Sequence, residues 1–62
     1  MSKEMQLLKS KIEFFKKLTN AMDNMNFISK SNRFDYKIEQ YQNELSDLYK
    51  RIQELKEEEK YD

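Results

Sequence analysis

Between Phe34 and Leu55, apolar side chains fall at Phe34, Ile38, Tyr41, Leu45, Leu48, Ile52 and Leu55, in steps of 4, 3, 4, 3, 4 and 3. Such an alternation without a miss lays one apolar stripe along one side of an α-helix, a heptad seam. Ile38, Leu45 and Ile52 take the a positions; Phe34, Tyr41, Leu48 and Leu55 take d. The next a position is Glu59, so the seam stops there. The first half repeats the pattern at Met1, Met5, Leu8, Ile12, Phe15, Thr19 and Met22, with a at Met5, Ile12 and Thr19 and d at Leu8, Phe15 and Met22. The two seams do not share a frame. Carried forward, the first frame selects Ser29, Arg33, Tyr36, Gln40 and Asn43. One straight rod would therefore rotate its stripe off the second seam. The chain must break or stutter between residues 24 and 32.

That stretch, Asn24-Met25-Asn26-Phe27-Ile28-Ser29-Lys30-Ser31-Asn32, holds three Asn and two Ser. Both types favour turns, and Asn tolerates the left-handed conformation that Gly usually supplies. Ser2, followed by Glu4, suits the start of a first helix; Ser31, or Asn32 with Asp35 three residues on, suits the start of a second. The expectation is helix 1 over residues 3–25, a connector over 26–31 and helix 2 over 32–60, rods of roughly 34 and 43 Å at about 1.5 Å per residue. Rods of similar length joined by a short connector form an antiparallel hairpin. Folding it near residue 28 opposes Met22 to Phe34, Phe15 to Tyr41, Ile12 to Leu45, Leu8 to Leu48 and Met5 to Ile52. The same register sets Glu4 near Arg51 and Lys11 near Glu44. A shift of two residues sets like charges together instead. Exposed pairs contribute little individually, so the charges bias the register without imposing it.

Composition removes most alternatives. The chain has 62 residues and begins with Met1, as expected of a whole small protein of one domain. With no Gly, no Pro, no Val and one Thr, a β-rich fold lacks its turns and its strand formers. Zero Cys excludes disulfides and thiolate metal sites, and zero His excludes imidazole ligands and the commonest general base. Zero Gly excludes phosphate-cradling glycine loops. Oligomerisation is the staple left to so small a core. No apolar run is long enough for a transmembrane span or a secretory leader. The chain is accordingly expected in a cytoplasm, that of a host cell if it is phage-encoded. Lys outnumbers Arg ten to two, and Asn, Ile, Phe and Tyr are frequent, a bias pointing to an AT-rich bacterial or phage genome.

Helix 1 carries more apolar surface than one neighbour can cover. Beside its seam runs a second row: Leu7, Phe14, Leu18, Ala21 and Met25. Helix 2 has only the scattered Tyr36, Tyr49 and Tyr61. The favoured expectation is that two hairpins bury these rows together as a homodimeric four-helix bundle with coiled-coil-like packing. A docking face for a different, unidentified protein is the rival, and a membrane-surface helix with Lys3, Lys9, Lys16 and Lys17 on its polar side is a third reading. Phe27 and Ile28 fall in the expected connector, either as a plug over the bundle end or as an exposed hot spot.

The carboxylates Glu39, Glu44, Asp47, Glu54, Glu57, Glu58 and Glu59 interleave with Lys50, Arg51 and Lys56, as on a solvated helix face. The Glu-x-x-His pairs of a di-iron bundle are absent, and so is the EF-hand pattern. No catalysis, cofactor or metal is expected. Lys9, Lys16, Lys17, Lys30 and Arg33 are the residues that an RNA- or DNA-binding bundle would use. Residues 1–28 hold five cations against three carboxylates and residues 29–62 hold seven against nine, so the charge signal is weak. The functional expectation is a non-enzymatic protein-interaction module, an adaptor, inhibitor or regulator. Nucleic-acid binding, or a structural part in a larger phage or cellular assembly, is the alternative.

Overall fold

A computed structural model describes residues 2–60, the last of them in its backbone only. Met1, which the sequence pattern places in the first seam, and Tyr61 lie outside the described residues. The chain is two helices packed side by side, α1 over Lys3–Ser29 and α2 over Asp35–Lys60, in a rod of 51 × 15 × 11 Å.

Ser2 starts α1 as expected. Its backbone is extended (φ −73°, ψ 158°) and its hydroxyl accepts the Met5 N–H at 3.1 Å. This satisfies one of the amide donors that the first turn leaves without a partner, and Glu4 adds a negative charge at the positive end of the helix. The C-terminus departs from expectation. α1 runs through Ser29, four residues beyond the expected end, and the connector is residues 30–34 rather than 26–31. No Gly or Pro stops the helix earlier. It ends where Lys30 enters the left-handed region (φ 52°, ψ 47°). The Lys30 N–H then reaches the Phe27 carbonyl at 3.3 Å and the Ser31 N–H reaches the Asn26 carbonyl at 3.0 Å. These are the two bonds of a Schellman motif, usually closed by Gly. The residue in that conformation is a lysine and not one of the asparagines that the sequence favours for it.

Asn26 joins the helices across the connector. Its Oδ1 accepts the Phe34 N–H at 3.0 Å, and its Nδ2 donates to Asp35 Oδ1 at 3.0 Å. An acceptor on α1 thus serves the start of α2, in place of the expected cap from Ser31 or Asn32. The Ser31 hydroxyl meets that of Ser29 at 2.8 Å instead. α2 begins at Asp35, later than the expected residue 32, because residues 32–34 close a turn in which the Asn32 carbonyl accepts the Asp35 N–H at 3.1 Å.

The two seams face each other. Met5, Leu8, Ile12, Ile52 and Leu55 form one buried cluster, with Leu45 and Leu48 packed against it, and Ile38 is buried nearer the connector. The Phe15 and Tyr41 rings stack tilted with centroids 5.3 Å apart. Arg51 Nε bonds Glu4 Oε1 at 2.9 Å. Both contacts match the register expected from folding near residue 28. Lys11 and Glu44, the other expected pair, do not meet among the described residues. Thr19 is the one buried polar residue of the seam, and its hydroxyl donates to the Lys16 carbonyl at 2.9 Å. This core is a single layer. None of the described side chains falls below 2 % exposure, and a layer so thin stabilises a small chain only modestly.

Candidate interaction surface

With its inner seam closed by α2, α1 keeps its second row open. Leu7 is 56 % exposed, Phe14 59 % and Met25 53 %; Ala21 is exposed and Leu18 half-buried. The extension of α1 adds a member that the Asn- and Ser-rich composition around it places in the connector. Ile28, 70 % exposed, lies on the helix three residues after Met25 and continues the row. Phe27, 81 % exposed, is on the same turn but about 100° round the axis, outside the row. Neither residue plugs the end of the hairpin. Once the helix carries both past the last layer of the core, no part of α2 lies over them. The signal for Ile28 was present in the spacing, since 25 and 28 make another step of three, but the Asn- and Ser-rich context spoke for a turn.

Exposed apolar area distinguishes the two helices. At roughly 200 Å² for a fully exposed large side chain, Leu7, Phe14, Met25 and Ile28 leave on the order of 500 Å² uncovered along one side of α1. An exposed apolar area of that size lies in the upper part of the range for the largest patch on a monomer, which is often a functional one. The only large apolar residues that α2 leaves exposed, among the described residues, are Tyr36 and Tyr49. Phe14 also touches its neighbour Phe15 edge to face at 5.6 Å, so the row and the core are in direct contact through adjacent rings.

The cations divide into two groups. Lys9 and Lys16 line a shallow groove between the helices together with Glu13, Tyr49 and Lys56, and the Lys16 ammonium lies 5.8 Å from the Tyr49 ring centre. Lys17 is exposed on α1. Lys30 and Arg33 belong to the connector, Lys30 at an open depression also lined by Phe27 and Ile28, and Arg33 over the Phe34 ring at 5.6 Å. Thirteen helical residues, about 20 Å, separate Lys17 from Lys30. The fold does not gather the five into one patch. The carboxylates of α2 are exposed; among them Glu54 and Glu58 join Glu4 around Arg51, at 3.0 and 3.8 Å. The hydrogen bonds that the Arg51 guanidinium donates to Glu4, then to Glu54, hold its pKa above the ordinary arginine value. Among the described residues no group of three or more potential ligands could hold a metal ion, and no helix is long and apolar enough to cross a membrane.

No protein-family model, curated protein or solved structure matches this chain.

Proposed function

We propose that the chain is a non-enzymatic protein-interaction module, of the adaptor, inhibitor or regulator class, that works as a homodimeric four-helix bundle. The observation that carries this reading is the exposure of Leu7, Phe14, Met25 and Ile28 along one side of a helix whose other seam is already closed. Two such rows brought together cover on the order of 1,000 Å², about the least that a biological interface clears. A second hairpin is the partner that supplies an apolar row of the same length. It also supplies the additional core that a one-layer hairpin lacks. Phe27 stays outside the row and is the aromatic side chain on which a second protein would anchor. A cytoplasmic location belongs to the same proposal.

Size-exclusion chromatography with light scattering tests the reading. The chain is expected to run at twice 7.7 kDa, and Leu18→Glu at 7.7 kDa, because a carboxylate in the middle of the row cannot be desolvated there. A Leu18→Glu variant that keeps the mass of the parent chain would refute the assignment of the row.

A further inference from the structure

Resting on that reading, we infer that α1 packs antiparallel on α1 of a second copy, in the single heptad register that overlaps the two helices end to end, with Lys11 of each chain laid over Ala21 of the other. With Ile28 included, the outer row reads Leu7, Lys11, Phe14, Leu18, Ala21, Met25 and Ile28, in steps of 4, 3, 4, 3, 4 and 3. It is a second complete heptad seam, and Lys11 is its polar member. A sustained 4-3 spacing from Leu7 to Ile28 is what side-by-side packing against another helix requires, and a globular groove has no need of it. α2 exposes no such spacing. The partner helix is therefore α1 itself.

Orientation follows from Lys11. In a parallel pair, the seam position of Lys11 would face its own copy, two ammonium groups inside an apolar interface. In an antiparallel pair, a positions face d positions. Centring the seam on Lys16, the midpoint of Lys3–Ser29, sets Leu7 against Met25, Phe14 against Leu18, and Lys11 against Ala21 of the second copy. The one long polar side chain then meets the one small residue, over which its methylene stem can lie while the ammonium reaches solvent. Ile28 meets Glu4 of the second copy, whose carboxylate is drawn aside by Arg51 at 2.9 Å and leaves its stem for contact. Sliding by one heptad in either sense carries Leu7 or Met25 past the end of the facing helix. The unfavourable contact in this register is Lys17 beside Lys17 of the second copy, an exposed pair that salt screens.

The chain has no cysteine, so introduced thiols report without background. Leu7→Cys and Met25→Cys would each be prepared in the full chain; both sites are exposed in the hairpin, so neither change opens its core. The two variants are mixed, unfolded and refolded together, then treated with a short thiol-specific cross-linker. Cross-linked dimer in the mixture, with only traces in either unmixed sample, is the expected result. Leu7→Cys cross-linking to itself would overturn the antiparallel arrangement and leave self-association standing. No cross-link in any sample at a dimeric mass would remove the α1–α1 contact. No cross-link at a mass of 7.7 kDa would remove self-association as well.

Discussion

Phe14→Ala separates the two seams of α1 quantitatively. The ring is 59 % exposed on the hairpin, so truncating it opens no cavity in the core. Alanine favours the helix at least as well as phenylalanine. The hairpin loses only the edge-to-face contact with Phe15, worth about 0.5–1.5 kcal/mol. The proposed dimer loses more. An aromatic side chain presents about 150–250 Å², of which roughly 100 Å² is left for a partner to cover. At about 25 cal/mol per Å² this is about 2.5 kcal/mol for each copy and about 5 kcal/mol for the pair. The dissociation constant is then expected to rise by roughly 10³- to 10⁴-fold. Sedimentation velocity over a dilution series reads that constant, and circular dichroism on the same samples reads helix content. The reasoning predicts a large shift in mass against concentration with helicity retained at high concentration. An unshifted mass profile would refute it, because Phe14 would then lie outside the contact.

Other consequences follow from the connector and the tip. Asn26→Ala removes the acceptor of the Phe34 N–H and the donor to Asp35, and should lower stability by about 1–2 kcal/mol, read as a lower midpoint in thermal denaturation. Lys30→Gly relieves a side chain held at φ 52° and should raise stability by about 1 kcal/mol in urea denaturation; a loss instead would show that the left-handed turn is not where α1 ends. Phe27→Ser changes a side chain outside both seams and should leave dimer mass and thermal midpoint unchanged; a fall in mass would place Phe27 in the self-contact.

Much of this architecture is legible in spacing. The two seams can be read because each needs only one periodicity, and the break between them because their phases conflict. Phe15 with Tyr41 and Glu4 with Arg51 mark the register, and both pairings follow from folding the chain near residue 28. The end of α1 could not be read in the same way. It depends on Lys30, a residue without preference for the left-handed region, and on Asn26, whose partners are eight and nine residues away. Turn chemistry ordinarily announces itself through Gly, Pro or a local Asn bond. Here Asn26 bonds across to the other helix and stays helical itself. That shift of four residues hid Ile28 from the outer row, and with it the completeness of the second seam.

The claim on which the account rests is that the outward side of α1 is covered by another molecule of the same chain. Equilibrium sedimentation of the unmodified protein at tens of micromolar addresses it without substitution or label. A single species at twice 7.7 kDa is the predicted result. A fully helical species at 7.7 kDa over the same range would contradict it.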